Sequence, residues 1–156
     1  MRIHMSKSCV LVGVVVFAQA CSGSQQATVE HKPPIDVPGL LQIMVDRQAQ
    51  VPPGEVTALL GAPVRVREAE SRTTFEYYGL EVGFMSGRVG HVALVDARYT
   101  APEGVRVGWA ETQVLRLLGV PTRQARGVLE YEGVARLVLT VEQGVISRVE
   151  WRFAAQ

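Results

Sequence analysis

The chain of 156 residues has few groups that could do chemistry. It contains three histidines and two cysteines, and aromatic side chains make up only 6% of it. Metal sites need several closely spaced N, S or O donors, and His91 has none at ligand spacing in "GRVGHVAL". No serine lies in a nucleophile elbow, and no glycine-rich loop joins a strand to a helix. We therefore expect no enzyme activity, no cofactor and no metal.

The chain also has no excess of charge of either sign. Lys and Arg number 16 against 15 Asp and Glu, and from residue 21 onwards the balance is 14 to 15, a net charge near −1. Nucleic-acid binders carry a basic patch or run, so we expect no nucleic-acid partner. The pairs Glu68/Glu70 and Glu130/Glu132 are interleaved with arginines. A solvated, salt-bridged surface is favoured for them over acid–base chemistry.

No apolar run reaches the roughly 20 residues that a spanning helix needs. The apolar stretch 9–20 is shorter, follows Arg2 and Lys7, and ends in the small residues "AQA". This is the layout of a secretory signal peptide. We predict that residues 1–20 are such a signal, cleaved after Ala20.

Cys21 follows that site directly, and Cys9 lies inside the signal. An exported chain with one cysteine cannot form an internal disulfide. The arrangement resembles a bacterial lipoprotein signal, which implies that Cys21 becomes the first residue and carries fatty acids such as palmitate. Ser22 stands where an inner-membrane retention signal would have Asp, so the resemblance implies the periplasmic side of the outer membrane. The alternative is ordinary secretion with Cys21 as a free thiol.

Residues 21–38 are polar and then proline-rich, which is typical of a flexible linker. The following 39–156 are enough for one domain with its own core. A helix is predicted in "GLLQIMVDRQAQ", before Pro52.

The motif Leu-Leu-Gly-x-Pro occurs twice within this domain. Apolar residues spaced i, i+3 and i+4 precede each glycine and predict a short helix with one buried face. Glycine with positive φ closes many helices, and the proline that follows prevents continuation. The predicted apolar faces are Val56/Leu59/Leu60 and Val114/Leu117/Leu118, and the predicted stops are Gly61, Pro63, Gly119 and Pro121.

Each motif is followed by segments of alternating polarity, which predict strands. "SG" at 86–87 and "QG" at 143–144 are typical hairpin turns. The sequence therefore predicts an α+β fold of two tandem repeats, about 39–100 and about 101–156. Each would have one helix and three antiparallel strands, in one sheet with its helices packed on one face.

Val-x-x-Leu-Leu-Gly-x-Pro, followed by a Glu-Tyr strand and a glycine-turned hairpin, resembles the small-protein-A/outer-membrane-lipoprotein-A family. That family includes a lipoprotein of the outer-membrane β-barrel assembly machine. The same unit in duplicate, over roughly residues 51–153, is similar to the β-lactamase inhibitor protein fold. The resemblance implies a non-catalytic scaffold in envelope or outer-membrane protein assembly, or alternatively a periplasmic inhibitor or ligand-binding module.

Both alternatives would use the charged face of the sheet. The expected partners are the membrane, through the lipid, and another envelope protein. Tyr and Arg are common interface anchors, and the candidate contacts are Tyr78, Arg136, Arg148 and Arg152.

Overall fold

The computed structural model describes residues 35–154 and has the predicted α+β class, with three helices and one sheet of eight antiparallel strands. The proposed signal, Ala20, Cys21 and most of the linker lie outside the described residues. The elements are α1 (Val37–Asp46), α2 (Pro53–Leu60), β1 (Arg65–Ala69), β2 (Arg72–Glu76), β3 (Leu80–Met85), β4 (Arg88–Leu94), α3 (Glu111–Leu118), β5 (Arg123–Ala125), β6 (Val128–Tyr131), β7 (Arg136–Glu142) and β8 (Val145–Arg152).

The first helix begins inside the range predicted as linker. Asp36 caps α1, because its carboxylate accepts a hydrogen bond from the backbone N–H of Gly39 at 3.2 Å. An aspartate in that position satisfies a helix N–H that would otherwise lack a partner. The boundary of the linker at residue 38 is therefore wrong, and the domain begins before Val37.

Four strands follow each Leu-Leu-Gly-x-Pro motif, not the predicted three. The sheet order is β1-β2-β3-β4-β8-β7-β6-β5. Each group of four strands is a meander, and the last strands of the two groups, β4 and β8, pair with each other from His91↔Arg152 to Leu94↔Val149. The additional strand arises because the chain breaks after Glu76 and again after Tyr131, so that β2 and β3, and likewise β6 and β7, are separate strands.

Both predicted helix stops have positive φ, but not the left-handed helical conformation. Gly61 has φ 80° and ψ −173°, and Gly119 has φ 78° and ψ −156°. This region is essentially restricted to glycine. The N–H of each glycine still closes the last helical turn, on Thr57 and Leu115 respectively.

One apolar core lies on one face of the sheet. Strand residues such as Leu80, Phe84 and Trp151 share a buried cluster with residues of all three helices. Val56, Leu60 and Val114 are the residues of α2 and α3 that are fully or nearly buried. Leu59 and Leu117 were predicted in the same faces, but they are 47% and 51% exposed. That part of the prediction is wrong, because helices of two turns contact the sheet along a narrow line.

Candidate functional site: the open face of the sheet

The sheet face turned away from the core carries most of the charged strand residues. We call this the open face. Side chains alternate between the two faces of a strand. Because Val149 and Trp151 of β8 belong to the core, Arg148, Glu150 and Arg152 lie on the open face. In register with them are Ala93 and His91 of β4, and Val138 and Arg136 of β7.

A chain of alternating charges crosses the open face, and we call it the ion ladder. It runs through Glu76, Arg67, Glu81, Arg148, Glu150 and Arg152. Arg67 contacts Glu76 and lies 3.1 Å from Glu81, and Arg148 lies 2.7 Å from Glu81 and 2.8 Å from Glu150. Arg152 completes it at 2.5 Å from Glu150. The ladder therefore connects the first group of four strands to the second.

Arg148 makes this connection by reaching over β4. Ala93 of β4 lies between Glu81 and Glu150 in register. Although it is on the open face and outside the core cluster, Ala93 is 0% exposed. A small residue at this point leaves room for the arginine to pass above the strand.

Hydrogen bonds keep two partly buried groups of the ladder ionised, because they outweigh the effect of burial. Burial raises the pKa of Glu150, but hydrogen bonds from Arg152 and Arg148 outweigh it and hold the pKa below its ordinary value. Burial lowers the pKa of Arg148, and hydrogen bonds to Glu150 and Glu81 more than compensate, so the net shift is upward. Both groups are therefore charged at neutral pH.

His91 lies on the open face in the next row of the sheet. A Cβ added to the opposite residue, Gly83, would overlap the His91 ring, so the imidazole covers this glycine closely. Burial lowers the pKa of His91. Glu150 and Glu81 oppose that shift, while Arg148 and Arg152 reinforce it. The histidine is therefore a packed side chain that is neutral at pH 7.

Arg136 and Arg152 are directly opposite each other on β7 and β8. Their side chains are 48% and 53% exposed. Carboxylates support each of them: Glu132 at 3.2 Å from the Nε of Arg136, and Glu150 beside Arg152. Two half-exposed arginines thus occupy opposite positions on neighbouring strands, each with a carboxylate partner.

The four predicted contact residues are not one surface. Arg136, Arg148 and Arg152 share the open face, but Arg148 is only 26% exposed and is occupied by the ladder. Tyr78 is 63% exposed and lies in the turn between β2 and β3. The sequence alternation correctly located the face of Arg148. It could not show that Glu81, 67 residues away, lies within reach.

The remaining candidates do not form a reaction centre. Glu130 and Glu132 pair with Arg136, and Trp151 is in the core with its indole N–H donating to Glu103 at 3.0 Å. Between residues 35 and 154, no group of three or more His, Cys, Asp or Glu is arranged to hold a metal ion. None of the helices in that range has the length and apolar character that a membrane crossing requires.

A separate pocket of about 350 Å³ lies beside the turn after α1 and the hairpin of β3 and β4. Ala49, Met85, Val89 and Phe153 supply apolar walls, and Arg88 supplies the one cationic side chain among its described lining residues. None of the predicted contact residues lines it.

No family model matches the chain, and no curated protein sequence matches it. The DUF4309 family protein YjgB from Bacillus subtilis has a similar fold, with a TM-score of 0.50 and 14% identity over 67% of this chain and 80% of that one. An extracellular protein containing a SCP domain from Bacillus anthracis gives a TM-score of 0.45 and 8% identity over 70% of this chain. The match spans 45% of the Bacillus anthracis protein. The likeness to YjgB concerns the fold alone.

Proposed function

We propose that this protein is a non-catalytic lipoprotein, anchored through Cys21 to the periplasmic side of the outer membrane, that binds another envelope protein. The interface would be the open face of the sheet. The observation that carries the proposal is the pair Arg136 and Arg152, half exposed, opposite each other on neighbouring strands and each ion-paired with a carboxylate.

Such a pair is suited to binding for two physical reasons. A guanidinium group offers several N–H donors in a plane and pairs bidentately with a carboxylate. A side chain already held in place loses less conformational entropy when a partner binds. The described helices bury their apolar residues on the other face, which leaves the arginine pair accessible.

The two groups of one helix and four strands are interpreted as diverged copies of one unit. Hydrogen bonds at the ends of α2 and α3 support this interpretation. The hydroxyl of Tyr77 donates to the carbonyl oxygen of Gly61, and the hydroxyl of Tyr131 donates to the carbonyl oxygen of Gly119. Loops that differ in length between copies are expected after a duplication.

The test is a pull-down from detergent-solubilised envelope with the wild type, Arg136→Ala and Arg116→Ala. Arg116 is an exposed arginine of α3, on the helix side. We expect Arg136→Ala to fold normally, because exposed charges add little to stability, and to capture less partner. Arg116→Ala should capture as much as the wild type. Equal capture by all three proteins would place the interface elsewhere.

The second candidate is a periplasmic inhibitor or ligand-binding module like the β-lactamase inhibitor protein. The observation that favours it is the continuity of the two groups in one eight-stranded sheet. The same pull-down separates the candidates: captured barrel-assembly proteins support the scaffold, whereas a captured soluble enzyme supports the inhibitor.

A further inference from the structure

The strand β1 is an edge of the sheet, and its outer side is available for pairing. It has one neighbour, β2, and all five of its residues are exposed. The backbone N–H and C=O groups on the outer side of an edge strand can pair with an added strand. Main-chain pairing of this kind gives affinity to many peptide-binding proteins.

The two faces of β1 differ in chemistry. Val66 is opposite Phe75, whose ring packs against Phe84 of the core at 4.8 Å, so Val66 lies on the helix side. Val66 is 46% exposed, and Val64, which shares its face by alternation, is 59% exposed. Arg65 and Arg67 lie on the open face. Of these, Arg67 belongs to the ion ladder, while Arg65 makes no ion pair with any described residue.

The other edge of the sheet is shorter and has no exposed valine, although it too carries an arginine, Arg123. The strand β5 has three residues, Arg123–Ala125, and its exposed side chains include no large apolar group. Short, polar edges are a common protection against unwanted pairing. The sheet therefore has one protected edge and one that combines length, exposed valines and positive charge.

A second copy of the chain is a poor partner for β1. An antiparallel pairing centred on Arg67 places Arg67 opposite its own copy, and one centred on Val66 places Arg65 opposite Arg67. A pairing centred on Glu68 places two glutamates opposite each other. Like charges directly opposite on neighbouring strands are destabilising.

We propose that β1 binds an extended acidic and apolar segment of a partner protein, which adds to the sheet as an antiparallel ninth strand. The segment would carry acidic residues opposite Arg65 and Arg67, apolar residues opposite Val64 and Val66, and a basic residue opposite Glu68. Read in its own direction, it is Lys-Glu-Val-Glu-Val. This site lies at the β1 edge of the sheet, whereas Arg136 and Arg152 are on β7 and β8, and it requires neither the lipid nor Arg136.

The experiment titrates the isotope-labelled full chain, held in detergent micelles, with capped peptides and follows backbone amide shifts. The first peptide contains Lys-Glu-Val-Glu-Val. The second, Lys-Glu-Val-Lys-Val, differs only in the residue opposite Arg65. We expect the first peptide to shift amides of residues 64–69, and to bind about fivefold more tightly, as expected from one cross-strand pair of opposite rather than like charges.

Variants that reverse the charge of one edge arginine then supply the control. In Arg65→Glu the preference should reverse, so that Lys-Glu-Val-Lys-Val binds more tightly. Arg123→Glu, on the protected edge, should bind both peptides as the wild type does. Circular dichroism checks that both variants fold, which we expect because neither arginine makes an ion pair with a described residue.

Three results of the peptide titration would overturn the proposal. They are equal affinity of the wild type for the two peptides, amide shifts away from β1, and the absence of binding at millimolar peptide. Self-association that shifts the amides of β1 would also overturn it, because a second copy would then be the occupant. None of these results bears on the pull-down with Arg136→Ala, so the two proposals can fail independently.

Discussion

The hydroxyl of Tyr131 donates a hydrogen bond of 3.2 Å to the carbonyl oxygen of Gly119, the residue that ends α3. Tyr77 makes the corresponding bond of 3.4 Å to Gly61 at the end of α2. In both places the tyrosine of a Glu-Tyr pair therefore holds the glycine where the helix stops. Burial raises the pKa of both tyrosines, so both hydroxyls keep their protons at neutral pH.

Replacing Tyr131 by Phe should lower the free energy of unfolding by about 1 kcal/mol, because one partly exposed hydrogen bond is lost while the ring stays in place. Urea denaturation measures the change. Tyr78→Phe is the matched control, since Tyr78 is 63% exposed and its hydroxyl bonds to no described residue. Equal urea denaturation midpoints for Tyr131→Phe and the wild type would show that the hydrogen bond between Tyr131 and Gly119 adds no stability.

Gly119→Ala should destabilise the protein by about 2 kcal/mol, because φ 78° with ψ −156° is a region that only glycine enters without strain. No atom within 4 Å would meet the new Cβ, so the effect isolates the backbone cost. Gly54→Ala in α2 also meets no atom but lacks the positive φ, and it should be at least as stable as the wild type. Similar thermal melting of both variants would contradict the prediction.

Arg148→Ala should destabilise the protein by about 2 kcal/mol at neutral pH, because Glu81 and Glu150 each lose a charge-assisted hydrogen bond. Strand alternation alone would make Arg148 an exposed charge that adds little to stability, and its ion pairs with Glu81 and Glu150 change that expectation. Arg116→Ala, an exposed arginine without an ion pair among the described residues, is the control and should be neutral.

The effect of Arg148→Ala should depend on pH. The pKa of Glu150 is lower in the folded protein than its ordinary value of 4.5, so its stabilisation is present above that value and is lost as the pH falls through the folded pKa. A protonated carboxyl group is stabilised less by a neighbouring arginine than an ionised carboxylate is. The difference between wild type and variant should therefore shrink as the pH falls below 4.5 through the folded pKa, and a constant difference in denaturation from neutral to acid pH would contradict the assignment.

Cys21 lies outside the described residues, and its acylation stays a prediction. Cells grown with a labelled fatty-acid analogue should incorporate it into the wild type and not into Cys21→Ser. The mature wild type should also begin at Cys21, because cleavage is predicted after Ala20. An unlabelled wild type with a reactive thiol would support ordinary secretion instead.

The sequence predicted the α+β class and the positions of both helix ends, because glycine and proline act locally on the backbone. Periodicity also located the strand faces of β7 and β8. The number of strands in each group was not predicted, since the short breaks after Glu76 and Tyr131 lie inside continuous runs of alternating residues. The exposure of Leu59 was missed for a different reason: the pattern gives the apolar side of a helix, but not the width of its contact with the sheet.

The ion ladder could not be predicted, because its members are distant in sequence. Arg148 and Glu81 meet only because β4 pairs with β8 and because Ala93 is small. Alternation showed that these residues are charged and share a face. Alternation contained no information on which arginine would be exposed and which would be engaged in ion pairs within the sheet.

The pairing of β4 with β8 also affects the order of folding. His91 pairs with Arg152 and Leu94 with Val149, so every residue pair between β4 and β8 closes a loop of more than fifty residues. Such contacts form late and slow folding. The first four strands can assemble as a meander beforehand, but until the last strand arrives β4 is an unprotected, apolar edge of the kind that aggregates. The stage at which this protein is most prone to aggregate is therefore the interval between completion of β4 and pairing of β8 with it. Variants that slow the pairing of β4 with β8 should lower the yield of folded protein before they lower its equilibrium stability.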